Sequence, residues 1–122
     1  MAPPPARLKR RAEFLHVAFK GRKAPVHGLV LQALARGDQE PARVGFTVTR
    51  KVGNAVVRNR TRRRLKEAAR LLLGAHSVTG VDLVVIGRDA TRTRPFPALI
   101  DDLRRALAKL GVAIGPPRAD MR

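Results

Sequence analysis

Residues 45–70 read GFTVTRKVGNAVVRNRTRRRLKEAAR, an alternating strand that passes through a glycine turn into a helix packed with arginine. Val44, Phe46 and Val48 alternate with Gly45, Thr47 and Thr49, the period of a half-buried β-strand. The helix is expected over 55–73. At about 100° per residue, Val57, Thr61, Leu65, Ala68 and Leu72 share one narrow sector, which must pack on a core. Arg58, Asn59, Arg62, Arg63, Lys66 and Arg70 share a second sector toward solvent, and Arg60 and Arg64 flank the apolar stripe with their stems beside it. Glu67 is the only acid on this helix, so Arg58, Arg62, Lys66 and Arg70 repel one another at four-residue spacing. That repulsion costs stability unless a polyanion relieves it, and guanidinium forks match phosphate oxygens and stack on bases.

The rest of the chain agrees with a polyanion partner. Twenty-six Lys and Arg face nine Asp and Glu, a formal charge of +17 on 122 residues, which favours nucleic acid. Membrane-surface proteins carry such charge in disordered blocks or beside bulky apolar anchors, whereas much of it here lies in a folded segment. A 44% hydrophobic content suits one domain with a modest core. There is no cysteine, which excludes disulfides and thiolate zinc sites. The start, MAPPPARLKRRAEF, lacks the apolar core of a signal peptide, and no run reaches transmembrane length. A soluble, cytoplasmic protein is expected, with no membrane association and no protein partner evident.

Outward from the helix, residues 1–7 are expected to form a Pro-rich disordered lead, 8–114 one folded domain, and 115–122 a loose tail. A first helix is placed over Leu8–Lys20, ended by Gly21. Val26–Leu34 reads as a strand, and the turn at 36–41 predicts that it pairs with the 44–48 strand as an antiparallel hairpin. Val81–Gly87 is nearly continuous in Val, Leu and Ile, so it is expected centrally with both faces covered. A loop rich in Arg and Thr follows. In the last helix Pro97 suits the first turn, Asp101 and Asp102 read as helix-start acids, Leu99, Leu103, Leu107 and Leu110 form one stripe, and Gly111 ends it.

Hydrolysis of a phosphodiester by a protein requires a general base and acid, or carboxylates gathered around metal ions. The sequence supplies neither. Asp82 stands alone in its strand, and His16, His27 and His76 lack ligand spacing. No catalytic and no metal-binding residue is therefore assigned.

Arg43-Val44-Gly45-Phe46-Thr47-Val48 followed by Lys51-Val52-Gly53-Asn54-Ala55-Val56-Val57-Arg58-Asn59-Arg60 resembles the protein component of bacterial ribonuclease P, whose RNR signature matches Arg58-Asn59-Arg60. The resemblance extends from the Arg-Leu-Lys-Arg-Arg and Phe14 helix to the final leucine helix. It implies an α+β fold, an α/β sandwich with three helices and a small mixed sheet, in which the central helix joins two parallel neighbouring strands by a left-handed crossover. General rules predict the opposite hand.

The resemblance also implies a function: the protein subunit of an endoribonuclease that removes the 5′ leader of precursor tRNA, with Mg²⁺-dependent hydrolysis on the RNA subunit and no cofactor on the isolated protein. Ribonuclease P RNA and precursor tRNA are the implied partners. Arg50, Lys51 and Asn54 in the loop, with Arg58, Asn59, Arg60, Arg62, Arg63 and Lys66 on the helix, would contact the catalytic RNA. The leader would lie between the first helix and the sheet, where the family sets aromatics one helical turn apart. Phe14, Phe19 and Gln32 are the matching candidates, but the two Phe are five apart and Gln32 stands where an aromatic is common. Phe46 reads as core. Two other classes remain open: a ribosomal-type structural RNA-binding protein, distinguished by its partner RNA, and a free-standing nuclease, distinguished by cleavage without RNA.

Overall fold

The computed structural model describes residues 6–115; residues 1–5 of the expected 1–7 lead and 116–122 of the expected 115–122 tail lie outside this range. Five strands, β1 (Ala6–Arg7), β2 (Arg22–Pro25), β3 (Leu29–Ala35), β4 (Arg43–Val48) and β5 (Val81–Gly87), form one mixed sheet in the order β1-β4-β5-β3-β2. Three helices, α1 (Arg11–Lys20), α2 (Ala55–Ala75) and α3 (Phe96–Lys109), cover it. The class is α+β, as expected.

The central place of β5 follows from its composition, since six of its seven residues are buried. It pairs parallel with β4, through which α2 is the crossover, and antiparallel with β3. The expected β3–β4 hairpin is therefore not formed. The turn between them holds Pro41 and Ala42 against Thr79 and Val78 instead, through a Pro41–Thr79 bridge and an Ala42 N–H to Val78 carbonyl bond, which leaves the gap that β5 fills. Ala6 and Arg7, assigned to the lead, pair parallel with the edge of β4. Leu8 prolongs that pairing by donating its N–H to the Val44 carbonyl at 3.0 Å, so α1 starts at Arg11 rather than Leu8.

The main core lies between one sheet face and α2 with α3. Leu29, Leu31, Val44, Leu83 and Val85 meet Leu65, Leu99, Leu103 and Leu107 there. On the opposite face a smaller cluster, Leu8, Val17 and Val84 with Phe14, seats α1. Gly45 permits that seat: a Cβ at this position would lie 2.5 Å from the Phe14 ring. Gly111, at φ +70°, takes the left-handed turn that ends α3.

Two buried acids refine the sequence reading. Asp102 is fully buried on the core side of α3, where Arg94 donates Nε at 2.8 Å and Nη2 at 3.1 Å to its carboxylate. It is a buried ion-pair partner rather than a helix-start acid. Asp82 is likewise not isolated. It accepts from Arg36 at 2.9 Å and from Arg43 at 2.9 and 2.7 Å, and Arg43 reaches on to Glu13 of α1 at 2.8 Å. Burial pushes the Asp82 carboxyl up, but the hydrogen bonds and charges of Arg43 and Arg36 outweigh it and hold the group below its ordinary range.

A carboxylate with a depressed folded pKa contributes stability that is present above its unfolded pKa, about 3.9, and lost as pH falls through the folded value. Thermal melts are expected to show stability falling below about pH 4. In Asp82→Asn that acid limb flattens while the neutral-pH melting temperature drops. An unchanged acid limb would assign the acid response to other carboxylates.

Candidate nucleic-acid interface

The start of α2 is built to hold cationic groups outward. Val52 is buried and anchors the 3₁₀ turn Arg50–Val52, which leaves Arg50 and Lys51 exposed. Asn54 caps the helix, its Oδ1 accepting the Val57 N–H at 3.0 Å. Asn54 therefore has a structural task beside any contact it makes. The positive end of the helix dipole adds to the field of Arg50 and Lys51.

Along α2 the expected sectors are present. Thr61, Leu65, Ala68 and Leu72 are buried and Val57 packs against the core. Asn59, Arg60 and Arg63 are exposed, and Arg58, Arg62 and Lys66 are half-buried. Arg62 donates to Asn59 at 2.9 Å, which fixes two members of the ridge relative to each other. Among the described residues, no ion pair reaches any cation between Arg58 and Lys66. Arg70 differs, because it pairs with Glu67 one turn away and so lies outside the uncompensated group.

The electrostatic result is visible at Lys66. Burial lowers its pKa, and the charges of Arg7, Arg62 and Arg63 lower it further. Arg7 is the member that sequence reasoning missed. It lies on β1, with its guanidinium 5.6 Å from the centre of the Phe46 ring, and parallel pairing with β4 brings it beside α2. The only signal was its place in a basic run before a helix, and two residues are too few to show a strand period.

On the other flank of α2, Arg64 donates to the Arg94 carbonyl and lies 6.0 Å from the Phe96 ring. Its stem is held beside the core, as the helical angle implied.

The α1 side of the sheet carries the remaining candidates. Phe14 packs against Gly45 and the small cluster, half-buried, and Gln32 sits half-buried on the same face of β3 between Lys23 and Val84. Phe19 is 84% exposed and lies about 200° around α1 from buried Val17. It points away from the sheet, so Phe14 and Phe19 are not brought together. Val30, Ile86 and Thr47, neighbours across β3, β5 and β4 on the face that holds α1, are all half-buried. They form a strip of the sheet face beside the helix that α1 leaves partly open.

Among the described residues no three His, Cys, Asp or Glu gather where they could hold a metal ion. His16 and His27 are exposed, and His76 Nδ1 lies 3.1 Å from the Gly115 carbonyl. No described helix is long and apolar enough to cross a membrane. The arrangement is a cationic surface whose chemistry suits a polyanion.

Comparisons with known proteins identify the family. A family model described as Ribonuclease P matches residues 2–111. The ribonuclease P protein component of Gluconacetobacter diazotrophicus is 68% identical over 106 residues, covering 87% of this chain and 91% of the relative. That of Paramagnetospirillum magneticum is 52% identical, with 86% and 82% covered. The solved RNase P protein from Thermotoga maritima superposes with a TM-score of 0.71 at 28% identity, over 84% of this chain and 96% of that one.

Proposed function

Because the chain belongs to the bacterial ribonuclease P protein family, with a place in a tRNA-processing endoribonuclease complex beside ribonuclease P RNA, we propose that it binds that RNA through the α2 ridge and holds the 5′ leader of precursor tRNA against the α1 face of its sheet. The observation that carries the reading is the row Arg58, Arg62 and Lys66, joined by Arg7, with no described acid to neutralise it. Arg60 and Arg63, with Arg50, Lys51, Asn54 and Asn59, extend the contact around the helix start. Such a surface lowers the repulsion between two RNA molecules by taking the place of their counterions. Hydrolysis is assigned to the RNA subunit in the cytoplasm. Mg²⁺ belongs on RNA phosphates in this proposal, since Asp82 and Asp102 are each committed to arginines. The ribosomal-type alternative, which shares size and charge, is set aside by the family match.

The test is reconstitution. Protein and ribonuclease P RNA together, at near-physiological magnesium, are expected to cleave precursor tRNA far faster than either alone. No stimulation by the protein would overturn the reading, and cleavage by the protein alone would return catalysis to it.

The strip beside α1 predicts a gain of function. Ala18, exposed and one helical turn from Phe14, stands where an aromatic would flank the strip, whereas Phe19 is turned outward. Ala18→Phe is expected to tighten binding of precursor tRNA but not of mature tRNA, by roughly 1 kcal/mol for one stacked base. Phe19→Ala is expected to change neither. Equal tightening of both tRNAs by Ala18→Phe would count against a leader contact.

A further inference from the structure

The Arg- and Thr-rich segment after β5, RDATRTR at 88–94, plays no part in the ridge or the strip beside α1. It folds as a 3₁₀ turn, Asp89–Arg92, fixed from below: the Thr91 hydroxyl donates to the Gly28 carbonyl and accepts the Arg88 N–H at 2.8 Å. Thr91 is fully buried, so the turn is held firmly against the sheet while Arg92 and Thr93 stay exposed. Between this turn and α2 lies a recess of about 130 Å³, lined by Val57, Arg60, Thr61, Arg64, Arg92 and Thr93. At about 30 Å³ per water in the liquid, it has room for one tetrahedral oxyanion.

Its chemistry is one-sided. Three arginines and Thr93 line it beside Val57 and Thr61, and no acid does. Asp89 pairs with Arg92 at 3.1 Å from an 81% exposed position, a pairing that solvent screens. Arg64 is held in place through its bond to the Arg94 carbonyl, yet its Nε–H is buried without a partner. A buried donor left without an acceptor carries a desolvation cost that a ligand oxygen can remove. These groups lie on the opposite flank of α2 from Lys66 and Arg7, so the recess is separate from the ridge.

We infer that this recess binds one phosphodiester of RNA, with Arg64, Arg92 and Thr93 as donors and Arg60 closing it from the helix. Its oxyanion chemistry stands on the recess alone; the choice of ribonuclease P RNA as the source rests on the proposed function. The α2 helix would then be gripped by RNA on two flanks, which fixes its rotation as well as its position.

The test has two arms. Inorganic phosphate is titrated into the protein at constant ionic strength while arginine Nε–Hε NMR signals are followed. Saturable shifts at Arg64 and Arg92 are expected, and their loss in Arg92→Gln, an exposed change that leaves the melt unaltered. Absence of saturable shifts overturns the site. In the second arm, Arg92→Gln is expected to weaken binding of ribonuclease P RNA roughly tenfold, one charge-assisted hydrogen bond, and to reduce the salt slope by about 0.7 to 0.9. Phosphate shifts with unchanged RNA affinity overturn RNA as the source. Failure of the ridge reading is separable: it shows as unchanged RNA affinity in Arg58→Ala/Arg62→Ala/Lys66→Ala, which leaves the phosphate shifts intact.

Discussion

The triple variant Arg58→Ala/Arg62→Ala/Lys66→Ala is expected to lose on the order of a hundredfold or more in affinity for ribonuclease P RNA at physiological salt, while its helix content stays the same. The three cations follow one another at four-residue spacing on α2, and none has a described acid partner. If each meets a phosphate, removing all three should lower the slope of log affinity against log salt by roughly two to three. Protein stability should move the other way. Alanine is the better helix former, and the substitutions relieve repulsion worth roughly 0.2–0.5 kcal/mol per pair, so the melting temperature is expected to hold or rise slightly. A variant that keeps its RNA affinity, or loses affinity only by unfolding, would remove the ridge from the interface.

The second large effect concerns the Arg94–Asp102 pair. Asp102 is 0% exposed, whereas the Arg94 side chain keeps 24% of its surface in water. The two truncations should therefore differ. In Arg94→Ala the carboxylate stays buried with its bidentate partner gone, and a loss of about 3–5 kcal/mol is expected. In Asp102→Ala the freed guanidinium can swing to solvent, so the loss should be smaller, on the order of 1–3 kcal/mol. Denaturant melts of the two variants measure this directly; equal losses would mean that Arg94 is held inside by something other than Asp102.

Where the physics is local, the sequence was a sufficient guide. The two faces of α2 follow from helical angle alone, and the run of buried residues in β5 follows from its composition. Where a partner lies far along the chain, it was not. Asp82 meets Arg43 and Arg36 at separations of 39 and 46 residues, and nothing near Asp82 announces either. The hairpin expectation applied the rule that neighbouring strands pair, which β5 defeats by entering between β3 and β4. β1 and β2 are two and four residues long, too short for a period to emerge. Within the candidate site, the ridge was legible because it lies on one helix. Arg7 was not, since only sheet pairing brings it there, and the orientation of Phe19 depended on which face of α1 the sheet selects.

The insertion of β5 has a bearing on how the protein is made. β3 and β4 are neighbours in sequence but do not pair with each other; both wait for β5, at Val81–Gly87, to join them. Eighty residues precede that strand, among them the whole of α2, and until it has been synthesised the sheet has no middle. The arginine-rich helix is therefore synthesised before the strand that completes its sheet, when only the β1–β4 and β2–β3 pairings are available to support it. The late central strand thus sets the moment at which the cationic helix gains a complete sheet to pack on.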